Sequence, residues 1–102
     1  MKNEVENFIN KFKYLHPQEV EDVFLYGDCY YFARILASRF PQAIIKYMII
    51  KNHFITEIDG RYWDVRGDIT DILEKDEIVI WHEYKNIDPL HYNRIVRDCI
   101  NF

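Results

Sequence analysis

The sequence contains few of the residues that break or cross-link a chain: three glycines, three prolines and two cysteines among 102 residues. We find no linker, repeat or low-complexity stretch. No run of 18 apolar residues is present, so no membrane-spanning helix is expected. The opening residues, MKNEVENFINKF, carry charges where a secretory leader has its apolar segment. We therefore expect a cytoplasmic protein that does not bind membranes and whose two thiols stay reduced.

The charge balance is mildly acidic, with a net charge of -4 and a calculated pI of about 5.5. It gives no reason to expect a nucleic-acid surface. Apolar residues make up 49% of the chain and aromatic residues 17%, which is ample for a globular core. A chain of this length fits one core, so we expect a single domain over residues 1–102.

Apolar spacing and turn residues predict an α+β fold. Helices come first, mainly antiparallel strands follow, and a helix closes the chain. We expect the helix that begins at Cys29 to pack on a small antiparallel sheet. The predicted elements are a helix over 3–14, a short helical turn over 17–26, a helix over 29–39, a strand over 43–51, a hairpin over 53–67, a short helix over 68–76, a strand over 77–84 and a helix over 89–100.

The stretch LYGDCYYFARIL, residues 25–36, places Cys29 at the start of a predicted helix with Asp28 as its N-cap. The free N–H groups and positive dipole end of a helix N-terminus favour thiolate over thiol. The same N–H groups can hold an oxyanion as it forms. Cys29 is therefore a candidate nucleophile, while a small buried residue that starts a core helix remains the alternative.

The hairpin supplies a candidate base and a group to orient it. A two-residue turn at Asp59-Gly60 pairs Thr56 with Trp63. Side chains alternate along each strand, so His53 and Asp64 then lie as diagonal neighbours on one face. A slip of one residue would separate them. We expect the helix of Cys29 to approach this mixed face, and the opposite apolar face to pack on the core.

The order of a helix-borne cysteine, a strand-borne histidine and a strand-borne aspartate resembles the papain-like and transglutaminase-like superfamily. GDCYYFA, residues 27–33, is similar to the start of the transglutaminase core. HFITEIDGRYWDVRGD, residues 53–68, is similar to its strand beginning with histidine and its WYDVD-like strand. The resemblance implies Cys29 as nucleophile, His53 as general base and then acid, and Asp64 as the group that orients the imidazole.

The chain departs from that pattern in two respects. It is much shorter than full-length members, and it lacks the papain-like glutamine a few residues before Cys29, since Gln18 is further away. The second oxyanion donor is therefore unidentified. The stretches LYGDC and WDVRG also resemble small phage or prophage proteins.

We expect thiol-dependent acyl transfer or amide hydrolysis on a protein or peptide substrate, as a peptidase, amidase or deamidase. The alternative is a non-enzymatic phage or mobile-element protein that inhibits a host defence protein. A domain with no active site is a third possibility.

No cofactor or metal is expected. Zinc ligands drawn from Cys29, His53, His82 and Cys99 would lack a closely spaced pair. Cys99 is interpreted as a core residue of the last helix. Asp64 could instead form a surface ion pair with Arg66 or Arg61.

Overall fold

The computed structural model of the chain describes residues 2–73 and 75–100, without the side chains of Tyr26 and Cys99. These residues form five α-helices and an antiparallel sheet of five strands in the order β4-β3-β2-β1-β5. The elements are α1 (Lys2–Phe12), α2 (Pro17–Tyr26), α3 (Cys29–Arg39), β1 (Ile44–Met48), β2 (His53–Ile58), β3 (Arg61–Asp64), β4 (Gly67–Asp68), β5 (Ile78–Ile80), α4 (Trp81–Ile87) and α5 (Pro89–Ile95). The predicted α+β class is confirmed. None of the helices described in these two ranges is long and apolar enough to cross a membrane.

Several predicted boundaries needed correction. The helical turn after Pro17 is a full helix, α2, of ten residues. The last predicted strand contains only Ile78–Ile80, and a helix begins at Trp81. Trp81 and Tyr84 are three positions apart, so on a helix both turn towards the core and pack around the ring of Tyr47. That shared burial favours the helix over continued strand.

The short helix predicted for residues 68–76 is also wrong in part. Gly67–Asp68 forms β4, and a 3₁₀ helix follows at Thr70–Ile72. The Asp68 carboxylate accepts hydrogen bonds from the backbone N–H and hydroxyl of Thr70 and from Arg61. These bonds hold the segment against β3, which propensity alone does not predict.

The β2–β3 hairpin has the predicted register. Thr56 lies opposite Trp63, and Ile58 lies opposite Arg61. Asp59 and Gly60 have φ angles of 52° and 75°, the positive values that a two-residue type I′ turn requires. The turn therefore places His53 and Asp64 on the same face of the sheet.

The helices cover one face of the sheet. We call its two apolar clusters the Trp63 cluster and the Trp81 cluster. The Trp63 cluster contains Val5, Ile9, Phe32, Leu36, Phe40, Ile58, Trp63 and Val65. The Trp81 cluster contains Ala33, Tyr47, Phe54, Trp81, Tyr84 and Ile95. Helix α3 contributes to both, and through them it is fixed against β2.

The helix of Cys29 thus packs on the apolar face and not, as predicted, over the face of His53 and Asp64. That second face carries a small cluster of Met48, Ile55 and Ile69. Because α3 begins at Cys29, its first turn reaches the beginning of β2. The site therefore forms at that end of the sheet.

Candidate functional site

His53 and Asp64 are in direct contact. Nε2 of His53 lies 3.0 Å from Oδ2 of Asp64. Both side chains are largely shielded from solvent, with exposed fractions of 12% and 2%. The contact joins the first residue of β2 to the last residue of β3, so the hairpin register is what brings the two groups together.

Cys29 reaches the same imidazole from α3. Its side chain hydrogen-bonds to His53, and since Nε2 is engaged by Asp64, the nitrogen left for sulfur is Nδ1. The backbone N–H groups of Phe54 and Tyr30 also point to the sulfur. The structure therefore brings the three predicted residues into one chain of contacts, with His53 in the middle.

The first backbone N–H groups of α3 lie at this sulfur and are not capped by a side chain. Asp28 occupies the N-cap position as predicted, but its side chain forms no capping hydrogen bond. The first N–H groups of a helix have no partner within the helix. Because Asp28 does not accept from these N–H groups, they can donate to the Cys29 sulfur or to a developing oxyanion.

These contacts set the protonation of the pair. Burial raises the pKa of the Cys29 thiol, but the hydrogen bond to His53 and the two backbone N–H groups outweigh it and lower the pKa. Burial lowers the pKa of His53, but the bonds to Asp64 and Cys29 raise it to about 9. Between these two pKa values the pair holds its proton on the imidazole. Thiolate beside imidazolium is the form that attacks a carbonyl.

Arg66 completes the surroundings of Asp64. The sequence left open whether Arg66 or Arg61 would pair with this carboxylate at the surface. Arg66 does pair with it, through Nε and Nη2, while Arg61 binds Asp68. Asp64 is buried, so this is no surface ion pair. Burial raises the pKa of Asp64, and the bonds from His53 and Arg66 lower it to below its ordinary value.

A cavity of about 390 Å³ opens beside His53. His53 and Arg66 form part of its wall, Leu25 of α2 lies at another side, and aliphatic side chains supply much of the remainder. The complete lining is Leu25, Met48, Lys51, Asn52, His53, Arg66, Ile69, Ile72 and Leu73. Sequence reasoning missed this cavity, because its walls come from segments far apart in the chain.

The site residues also bear on metal binding. In the two described ranges, no group of three or more His, Cys, Asp or Glu side chains is arranged to hold a metal ion. The side chain of Cys99, interpreted above as a core residue, lies outside what the structure describes.

The thiol–imidazole pair predicts an unusual pH dependence of stability. Between the lowered pKa of Cys29 and about pH 9, the folded protein holds one proton, on His53, and the unfolded chain holds one on Cys29, whose ordinary pKa is 9.0. Equal proton binding means that the pair contributes no slope to the free energy of unfolding. In a Cys29→Ser variant only the folded state keeps a proton, on His53. Its stability should then fall as pH rises from 6.5, by up to about 1.4 kcal/mol per pH unit, until the pKa of His53 is passed.

Urea unfolding of both proteins from pH 6 to 9.5 measures this difference. The two stability curves should diverge above the lowered pKa of Cys29, with the variant losing stability relative to the unmodified protein. Parallel curves would mean that the folded pair is a neutral thiol beside a neutral imidazole.

The fold and the site together define an α+β protein in which a helix N-terminal cysteine, a histidine and a buried aspartate meet at one end of an antiparallel sheet. Residues 8–96 match the model of a family described as Phage YunG-like protein. The match spans most of the chain, and the protein belongs to this family. No curated protein and no solved structure matches the chain. This match gives no support for the resemblance to the papain-like or transglutaminase-like superfamily.

Proposed function

We propose that this protein carries out thiol-dependent acyl transfer or amide hydrolysis on a protein or peptide substrate. The observation that supports it best is the row of contacts from Cys29 through His53 to Asp64. The papain-like or transglutaminase-like character of the site is part of this proposal. The family description favours a phage origin for the chain.

The proposed reaction begins with attack of the Cys29 sulfur on the substrate carbonyl carbon. The carbonyl electron pair moves to oxygen, and the oxyanion lies near the uncapped first turn of α3. His53 then gives its proton to the leaving nitrogen as the carbon–nitrogen bond breaks. An acyl-enzyme and a neutral imidazole remain.

The second half of the reaction regenerates the thiolate. His53 takes a proton from water or from an acceptor amine, which attacks the acyl carbon, and the carbon–sulfur bond breaks. Water gives hydrolysis or, for a glutamine side chain, deamidation, while an amine gives acyl transfer. Asp64 holds the imidazole by Nε2 throughout, so that Nδ1 faces the sulfur. The cavity beside His53 would receive the part of the substrate next to the reacting carbonyl.

The test measures the Cys29 thiolate directly. The native protein is alkylated with iodoacetamide from pH 5 to 9, and peptide mass spectrometry follows Cys29 and Cys99 separately. Cys99, interpreted as a core residue, is expected to stay unlabelled. An unperturbed thiol reacts with a midpoint near pH ~8.5, and a thiolate paired with histidine reacts well below that. Rapid labelling of Cys29 at pH 5 to 6 supports the proposal, and labelling that begins only above pH 8 contradicts it.

A second step tests chemistry beyond reactivity. The protein is mixed with p-nitrophenyl acetate, and a burst of nitrophenolate with an acetyl group on Cys29 is expected. Slow decay of that adduct in water, accelerated by an added amine, would favour acyl transfer. A decay rate that the amine does not change would favour hydrolysis.

The alternative is a binding protein that inhibits a host protein, without chemistry. The phage family and the exposed apolar side chains of Ile87 and Leu90, 64% and 84% exposed, favour it. The alternative predicts that Cys29→Ala keeps the biological effect of the protein, whereas Leu90→Asp abolishes it. The enzyme proposal predicts the reverse.

A further inference from the structure

Asp64 is held from two sides by groups of like charge. Oδ2 accepts a hydrogen bond from Nη2 of Arg66 at 2.6 Å, and the same oxygen contacts Nε2 of His53 at 3.0 Å. Nε of Arg66 lies 3.2 Å from Oδ1 and 3.1 Å from Oδ2. The guanidinium group therefore donates hydrogen bonds to both oxygens of the carboxylate that contacts His53.

The local chain provides a third anchor. The backbone N–H of Arg66 donates to Oδ1 of Asp64 at 2.8 Å. Asp64 and Gly67 pair across the tight β3–β4 turn, and Gly67 has a φ angle of 114°, a value that favours glycine. Because Val65 and Arg66 form the tip of this turn, the arginine side chain folds back over the carboxylate. The short sequence DVRG thus carries both the aspartate and the group that fixes it.

Arg66 differs from Asp64 in its access to solvent. Its side chain is 41% exposed, against 2% for Asp64, and it forms part of the wall of the cavity. Arg66 therefore covers the buried carboxylate and lines the same cavity as His53. A planar fork of this kind fixes the orientation of a carboxylate, which a single ammonium group cannot do as well.

We propose that Arg66 is a positioning residue: it holds the Asp64 carboxylate in the orientation in which Oδ2 faces Nε2 of His53, and so it maintains the proton on the imidazole that keeps Cys29 a thiolate. This inference rests on the proposed function for its catalytic meaning. Its physical content, the orientation of Asp64 towards His53, can be measured without any reaction.

The first measurement is the pKa of His53 by NMR, in a Cys29→Ser background that removes coupling to the thiol. His53 is assigned by comparison with His53→Gln. Arg66→Ala should move the pKa of His53 downwards by at least one unit, because an unanchored carboxylate loses its oriented bond to Nε2. An upward shift would mean that Arg66 only competes with His53 for negative charge, and an unchanged value would mean that Asp64 needs no anchor. Either result overturns the proposal.

Arg61→Ala is the matched control. Arg61 lies on the same hairpin and pairs with Asp68, and its side chain is 33% exposed. This variant should leave the pKa of His53 unchanged. Circular dichroism and urea unfolding confirm that the variants are folded at the pH of measurement, and Arg66→Lys provides a milder replacement. Lys keeps the positive charge but lacks the planar guanidinium group. In Arg66→Lys, less than half of the decrease in the pKa of His53 caused by Arg66→Ala should therefore be recovered.

The second measurement is chemical rescue in the chain that retains Cys29. Alkylation of Cys29 at pH 6 should fall about tenfold in Arg66→Ala. Low concentrations of guanidinium chloride should restore it, and ammonium chloride at equal ionic strength should not. Equal rescue by both salts would assign the effect to charge alone and overturn positioning.

The two proposals fail in different ways. If Cys29 of the unmodified protein reacts only above pH 8 and yet Arg66→Ala lowers the pKa of His53, the proposed chemistry is wrong, and of the positioning role the orientation of Asp64 towards His53 stands without its effect on Cys29. If Cys29 reacts rapidly at pH 6 and Arg66→Ala changes neither the pKa nor the alkylation rate, the chemistry stands and the positioning role is wrong.

Discussion

His53→Gln should lower the rate of Cys29 alkylation at pH 6 by about 10- to 100-fold. Nδ1 of His53 is the partner left for the sulfur, and the hydrogen bond and positive charge of the imidazole lower the pKa of the thiol. Without them, burial raises the pKa, and a thiol with a pKa near ~8.5 is well under ~1% ionised at pH 6. A thiolate of higher pKa is also more nucleophilic, so the rate falls less than the thiolate population does.

The measurement is the pH–rate profile of iodoacetamide alkylation, with Cys29 followed by mass spectrometry. The lower limb of the profile should move towards pH 8.5 in His53→Gln. His82→Gln is the control, because His82 lies exposed on α4. Equal rates for His53→Gln and the unmodified protein at pH 6 would remove His53 from the site.

Phe32→Ala should lower the free energy of unfolding by about 3–5 kcal/mol. Phe32 is 1% exposed, and its ring contacts those of Phe12 and Phe24 from the first two helices. Truncation leaves a cavity where α1, α2 and α3 meet, and these neighbours can close it only in part. A loss of this size is a large share of the 5–15 kcal/mol that stabilises a typical domain.

Urea unfolding followed by circular dichroism measures this loss. Tyr14→Ala is the matched control, since Tyr14 is 79% exposed, and its effect should stay within about 0.5 kcal/mol. Because Phe32 lies one turn after Cys29, Phe32→Ala should also make the alkylation of Cys29 resemble that of an ordinary thiol wherever the variant unfolds. A loss below 1 kcal/mol would mean that α3 is held mainly by other contacts.

Local chemistry explains why much of the site could be predicted from the sequence. Asp59 and Gly60 allow only a short list of turns, and the type I′ turn fixes the register that aligns His53 with Asp64. Asp28 marks the start of the helix that begins at Cys29. These signals depend on neighbours in the chain, so they are readable without the tertiary structure.

The features that were missed depend on distant contacts. The exchange of strand for helix at Trp81 follows from packing against Tyr47, a contact between distant residues that the sequence does not give. The sequence allowed a pair between Arg66 and Asp64 at the surface, but it did not give the burial of the carboxylate that Arg66 binds. The stretch DVRG, residues 64–67, does indicate a tight turn, because Gly67 can adopt a positive φ angle. It does not show that the turn places Arg66 against a carboxylate that also contacts His53.

The two tryptophans lie one in each core cluster, Trp63 on β3 beneath α3 and Trp81 at the start of α4, facing α5. Both are nearly inaccessible to water, at 1% and 6% exposed. The protein therefore carries two built-in fluorophores that report on different halves of its interior. In single-tryptophan variants, emission from Trp63 would report whether the helix that begins at Cys29 is packed on the sheet. Emission from Trp81, stacked on Tyr92, would follow docking of the C-terminal helices. Coincident transitions would mark one cooperative unit, and separate ones would show which half opens first.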